Sequence, residues 1–300
     1  MQKRFKSLEE QEELLVSRGV ATDDDTRAIL SREGYYAVVV GYKAPFLTNP
    51  NHAHGEIDRY REGTTFQHIY AAFIFDRMLR MTMLSYSMAA ESTLKVLCAY
   101  AFEKHHRKGT QAYLEKTSYA RDQREKGTVR RLINTFNQVI RQESPYDERT
   151  YLYDYMEELT KVPFWVITKA VDFGTVLEFC RCVTKDVQGD VVDAFEHLYE
   201  QSWGKERRMT FDGEGGLDAR FMRIKDMRNL CAHDERLYCA RFGREQEADL
   251  WQVCRDLRLV IDRDMHERMM GDVQRLLERL QQEVPPEAAD YIMLQMGWTD

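Results

Sequence analysis

The sequence predicts an all-α fold, and three observations carry that reading. The run from Phe66 to Phe102 contains no Gly or Pro, and Phe66, Ile69, Tyr70, Phe73, Ile74, Met78 and Met81 recur at three-four spacing. Helix start signals recur along the chain, beginning with Ser7 and Glu10, which have the spacing of a capping box. Only residues 35–40 read as a strand, and one isolated strand cannot form a sheet.

The elements follow in order. Ser7 opens a helix through about Ser17, which ends near Gly19. The turn cluster Thr48-Asn49-Pro50-Asn51 separates an N-terminal helical extension (1–48) from the rest. The long helix starts near Phe66 and spans the domain. Thr110 is placed to cap a short helix, and 128–139 reads as another. Pro163 suits the first residue of a helical turn. Helices are then expected from Phe173 onward and over 186–199, 217–232, 245–261 and 264–282. In the last of these Val273, Leu276, Leu277 and Leu280 mark the core-facing side. Phe164 and Trp165 read as core. No repeat or long linker divides the chain, so one domain over 1–300 is expected, with a bundle over 64–282 and a C-terminal segment over 283–300.

Composition narrows the function. Of 300 residues, 43% are hydrophobic and 31% charged, which describes a soluble globular protein. No window approaches a membrane span and the start lacks an apolar signal core, so a cytoplasmic location is expected. The six cysteines lack zinc-knuckle spacing and read as reduced thiols. His52, His54 and Asp58 fall in a turn region and read as surface loop, so neither metal nor cofactor is expected. Asp212-Gly213-Glu214-Gly215-Gly216 has no following Lys-Ser/Thr and is no phosphate loop. The net charge is −7, yet residues 104–131 carry nine Lys/Arg against three acids. That stretch (Lys104, Arg107, Lys108, Lys116, Arg121, Arg124, Lys126, Arg130, Arg131) is either an RNA-backbone surface or a solvated charged segment.

The candidate chemistry lies in Arg228-Asn229-Leu230-Cys231-Ala232-His233. Composition alone supplies about one such Arg–His spacing by chance, so the surroundings must decide. They do so through an ordered set of landmarks: Gln11 to Gly19, Gly34-Tyr35-Tyr36, Gly41-Tyr42-Lys43-Ala44-Pro45-Phe46, Phe75-Asp76-Arg77-Met78-Leu79-Arg80, Glu91, Pro163-Phe164-Trp165-Val166, Phe173-Gly174-Thr175, and Arg228-Asn229 with Cys231-Ala232-His233 and Arg236-Leu237. In this order the chain resembles the bacterial Abi-like (AbiD/AbiF) abortive-infection proteins, whose core belongs to the HEPN superfamily. The resemblance implies a HEPN-like helical bundle with an Arg-x-x-x-x-His motif at Arg228 and His233. It also implies a metal-independent endoribonuclease used as a toxin in phage defence, and association with a structured non-coding RNA. The alternative is a non-catalytic RNA-binding protein acting by sequestration. HEPN toxins silenced by a partner nucleotidyltransferase carry Tyr two residues after the motif His. Here that place holds Glu235, so this regulation does not carry over.

The residues suit metal-free RNA cleavage. The ribose 2′-OH attacks the adjacent phosphate, which requires a base at the 2′-OH, an acid at the 5′-oxygen and a cation at the phosphate. His titrates near neutrality, and Arg stays charged and forks onto two oxygens. DNA lacks the nucleophile, so RNA is the expected partner and DNA is not. In-line attack places base and acid on opposite sides of phosphorus, where one imidazole cannot serve both. Five residues at about 100° each also put Arg228 and His233 roughly 140° apart on an ideal helix. A homodimer presenting two copies of the motif answers both difficulties. Asn229 is expected to bond the phosphate, orient His233 or cap local backbone. Glu91 is either a site residue or a salt-bridge partner, Arg228 included. Arg236 is either a phosphate contact or half of a surface ion pair.

Overall fold

The structure is a computed structural model that describes residues 5–50, 57–107, 111–124, 126–141, 150–159 and 161–298. The fold is all-α: among these residues there are helices and isolated bridges but no strand. Helix α1 (Leu8–Ser17) starts at the Ser7/Glu10 capping box, and Gly19 with φ +88° turns the chain after it. Helix α2 (Thr26–Glu33) ends at Gly34. Residues Tyr36–Val40, expected as a strand, form a π-helical turn with Val38 and Val39 buried. A short apolar run has no period of its own, so a buried strand and a buried helical turn look alike in sequence.

Helix α3 (Phe66–His105) is the axis of the molecule, about 60 Å long at 1.5 Å per residue. Phe66, Ile69 and Phe73 are buried as their spacing predicted, but Met78 and Met81 face outward. From Ala72 on, the buried side passes through Phe75, Asp76, Leu79, Arg80 and Met83 instead, so the apolar stripe of the sequence drifts off the core. Helices α4 (Gly127–Ile140), α5 (Thr150–Glu157), α6 (Phe164–Ala170), α7 (Phe173–Cys182) and α8 (Lys185–Trp203) follow. Pro163 is the N-cap of α6 and not its first residue, and Trp165 is half-exposed while Phe164 is buried.

Helix α9 (Leu217–Ala232) matches the predicted bounds. The helix expected over 245–261 is shorter: α10 (Leu250–Leu257) begins only after Phe242 and Ala248 exchange backbone hydrogen bonds and Asp249 caps it. Asp262 caps α11 (Arg263–Glu283), whose Val273, Leu277 and Leu280 are buried. The segment 283–300, to which the sequence assigns no element, holds α12 (Pro286–Met296), started by the Pro285-Pro286 pair and stopped by Gly297 in the left-handed region. Thr110, His52 and His54 lie outside the described residues.

Helices α9 and α11 pack most extensively on α3, with α6 and α8 beside its C-terminal half. The buried apolar residues form one contiguous cluster around it. No helix among the described residues is long and apolar enough to cross a membrane.

Candidate functional site

The C-terminal end of α9 lies against the middle of α3. The helix stops at Ala232, and His233 is its C-cap, with its backbone N–H donating to the carbonyls of Asn229 and Leu230. Asp234 then takes the left-handed conformation (φ +57°), and the N–H of Glu235 reaches back to the Leu230 carbonyl at 3.3 Å. This is a Schellman-type ending with Asp where Gly is usual. The conformation costs an L-residue about 1 kcal/mol, so something must hold it.

What holds it is a buried polar cluster on α3. Asp76 is fully buried, and its carboxylate accepts from the Leu237 N–H (3.0 Å), the Tyr238 N–H (2.7 Å), the Tyr42 hydroxyl (2.7 Å) and Arg80 Nη1 (2.6 Å). Arg80 Nη1 also donates to Tyr42 at 3.0 Å, and its other terminal nitrogen pairs with Asp234. One carboxylate therefore anchors the backbone just after His233, and the arginine it holds anchors the residue next to His233. Burial pushes the Asp76 carboxyl above its ordinary value, while the Tyr42 hydroxyl and the two backbone donors pull it back. Burial acts to lower the Arg80 guanidinium, but Tyr42 and Asp76 outweigh it and hold the group above its ordinary value. Four donors and no acceptor surround Asp76, which fits the ionised carboxylate.

About three turns further along α3, Glu91 is clamped by Lys95 (2.7 Å), whose Nζ also donates to the Val171 carbonyl (2.7 Å). The second Glu91 oxygen stands 3.6 Å from Arg228 Nε. That Nε is buried without a hydrogen bond, while Nη1 reaches only the Asn229 side chain at 3.4 Å. Of the two readings of Glu91, the ion pair with Arg228 is therefore present. Arg228 is braced at its root, is about one-third exposed, and makes no other polar contact among the described residues. His233 is exposed, and its imidazole bonds to no described residue. Asn229 is exposed and turns to Arg228 and not to His233. No hydrogen bond joins Arg228 to His233, in keeping with their separation around the helix.

The remaining expected residues go elsewhere. Among the described residues Arg236 forms no ion pair; its guanidinium donates to the Gly41 carbonyl at 2.9 Å and ties the N-terminal region to the segment after α9. Lys104 and His105 pair with Asp190 on α8. Arg124 donates to the carbonyls of Thr117 and Tyr119, and Arg131 reaches Glu178 at 3.4 Å. Arg107, Arg121, Lys126 and Arg130 are exposed, and Lys108 lies outside the described residues. Lys104 stands thirteen residues past Glu91, about 20 Å along α3, so the basic stretch starts well away from the motif. None of these side chains bonds to Arg228, His233 or Glu91 among the described residues. Nor is any group of three or more His, Cys, Asp or Glu placed there to hold a metal ion.

Asp76, Arg80, Tyr42 and Lys95 are working parts that the sequence reading does not assign. The signal was present: Asp76 and Arg80 are an acid–base pair four residues apart in a helix whose neighbours are core residues, and a charge on a core stripe needs a buried partner.

A family model described as "Abi-like protein" matches residues 28–239, from α2 through the whole α9 motif and its anchor. The chain belongs to the Abi-like protein family. Membership puts it among proteins associated with abortive infection, a form of phage defence. No curated protein and no solved structure matches it. The family match ends at Cys239, one residue after the second backbone donor to Asp76, so the Abi-like segment contains the entire Asp76–Arg80–His233 arrangement. Tyr238, the tyrosine nearest the motif, is buried in this Abi-like chain and is not presented for modification.

Proposed function

We propose that this Abi-like protein is a cytoplasmic, metal-independent endoribonuclease of HEPN type, with Arg228 and His233 as its catalytic pair. The supporting observation is the contrast between how these residues are held and what they touch. Glu91 and the Asp76–Arg80 anchor fix their backbone and roots, yet the Arg228 fork and the His233 ring are left facing outward. A permanently charged fork offered to solvent suits a phosphate, and an uncommitted imidazole suits proton transfer.

The reaction balances without an external group. One neutral imidazole takes the 2′-OH proton as the 2′-oxygen bonds to phosphorus. An imidazolium on the opposite side gives its proton to the departing 5′-oxygen as that P–O bond breaks. The products are a 2′,3′-cyclic phosphate and a 5′-hydroxyl. Arg228 neutralises the charge gathering on the non-bridging oxygens. Each chain supplies one His233, so the working unit is two copies.

Incubation of the purified protein with RNA and EDTA, followed by analysis of the ends, tests this. Cyclic-phosphate ends and loss of cleavage when the scissile nucleotide is 2′-deoxy are expected. Ends of the 5′-phosphate type would overturn the mechanism. Tight binding of a structured RNA with no cleavage would favour the sequestration reading.

A further inference from the structure

Three separate contacts pin the segment from Glu33 to Tyr42 beside the end of the α9 motif. Both Glu33 oxygens accept from the terminal nitrogens of Arg77 on α3 (3.3 and 2.6 Å). The Tyr42 hydroxyl joins the Asp76–Arg80 anchor that holds the chain just after His233. The Gly41 carbonyl accepts from Arg236, which follows His233 by at most about 11 Å of chain. Between these tethers stands Tyr36, whose side chain is 75% exposed on a π-helical turn with Val38 and Val39 buried beneath it. The Tyr36 carbonyl and Arg236 Cδ lie 3.7 and 3.9 Å from the place a Gly41 Cβ would take, so the tyrosine and the arginine are neighbours. Arg236 is exposed and spends one nitrogen on Gly41, with no carboxylate partner among the described residues. Of the acids nearby, Glu33 is paired with Arg77 and Asp234 with Arg80, while Glu235 is exposed.

We infer that Tyr36 is a stacking platform for one unpaired base of the RNA, a short step along the strand from the phosphate held at Arg228 and His233, with Arg236 on the backbone between. The inference rests on the RNA reading of the site given above and adds the form of the substrate: the segment next to the cut is single-stranded.

A lone exposed tyrosine is ordinary on a protein surface; its company and its mounting set this one apart. An open aromatic face beside an uncommitted cation is the pairing that holds single strands, the ring taking a base and the cation the phosphate backbone. A duplex keeps its bases stacked on each other and offers no face to the ring, so the platform selects for an unpaired segment. It does not select for sequence, because every base has a π-face. The mounting makes the contact effective. Tyr36 belongs to a segment fixed at Glu33, Gly41 and Tyr42, so little backbone is left to be ordered when RNA binds. The same contacts tie the platform to the Asp76–Arg80 anchor that sets His233, so ring and imidazole keep a constant separation.

Fluorescence anisotropy in EDTA tests the platform, with the full chain carrying His233→Ala so that the RNA stays intact. The probes are a short unstructured RNA and the same strand annealed to its complement. Tyr36→Ala is expected to weaken binding of the single strand by about five- to 150-fold, the worth of one base–aromatic stack. Tyr36→Phe keeps the ring and is expected to bind within about twofold of the parent, and duplex binding is expected to change by less than about twofold in both. A second measurement needs no loss of affinity: 2-aminopurine stepped along the strand should be quenched at one position by the parent and by Tyr36→Phe, but not by Tyr36→Ala. Single-strand affinity unchanged in Tyr36→Ala, an equal loss in Tyr36→Phe or on the duplex, or a parent that quenches no position or binds no single strand would overturn the inference. Tyr36-dependent binding by a protein that never cleaves RNA with His233 intact would uphold the platform and sink the nuclease reading alone. Cleavage by the parent that Tyr36→Ala matches in rate and affinity would do the reverse.

Discussion

Replacing Asp76 by Asn removes one charge from the centre of the anchor while leaving its shape. The carboxylate now accepts four hydrogen bonds, from two backbone N–H groups, a hydroxyl and a guanidinium that is only 4% exposed. The amide keeps one acceptor oxygen and turns an NH2 toward donors, so at least one donor is orphaned at about 1–3 kcal/mol. Arg80 also loses its buried counter-charge and keeps only the exposed Asp234. Breaking a buried pair costs about 3–5 kcal/mol. The two losses share one site and do not simply add, so the expected cost is about 4 kcal/mol, a large part of a net stability of about 5–15 kcal/mol. Urea unfolding followed by helical circular dichroism measures it. Hydrogen exchange locates it, since the Leu237 and Tyr238 amides should lose protection first. Asp234→Asn is the companion: that side chain is 75% exposed and Asn tolerates φ +57°, so its cost should stay under about 1 kcal/mol. An Asp76→Asn protein within about 1 kcal/mol of the parent, or unchanged exchange at Leu237 and Tyr238, would refute the anchor.

Other consequences are open to measurement. Glu91→Gln leaves Lys95 without its counter-charge and Arg228 without its brace. RNA cleavage should fall about tenfold or more while RNA affinity changes little, and an unchanged rate would remove Glu91 from the site. Stability should fall with acid in two stages. Burial lowers the folded-state values of His266 and His68 below 6.5. The unfolded chain then binds those protons first, and stability present above pH 6.5 declines as pH drops below it. His266→Gln should flatten that first stage, and an unaltered slope would contradict it. Arg77 holds Glu33 below 4.5, so a second loss begins only as pH falls under that value, and Arg77→Met should lessen it.

Much of the fold was legible because its signals are local. Capping at Ser7, the unbroken run to Phe102 and the bounds of α9 each follow from neighbours in sequence. Elements whose identity depends on packing were not. The Tyr36–Val40 turn looks like a strand, α10 is shortened by a bridge between Phe242 and Ala248, and α12 gives only a weak apolar pattern after its prolines. The motif itself was readable as Arg228 and His233, but its support was not. Asp76 meets Leu237 and Tyr238 across some 160 residues, and no periodicity encodes such a contact. The basic stretch is the reverse case: a cluster of charge that is linear in the sequence is partly dispersed among Asp190, Glu178 and local carbonyls once folded, while Arg107, Arg121, Lys126 and Arg130 stay exposed.

The central claim is that Arg228 and His233 cut RNA without metal. Its most direct test compares the parent with His233→Ala, an exposed position outside the core, on the same RNA in EDTA. The account predicts cleavage by the parent, loss of about a thousandfold or more in the variant, and RNA affinity within about threefold. Equal cleavage by both proteins would contradict it.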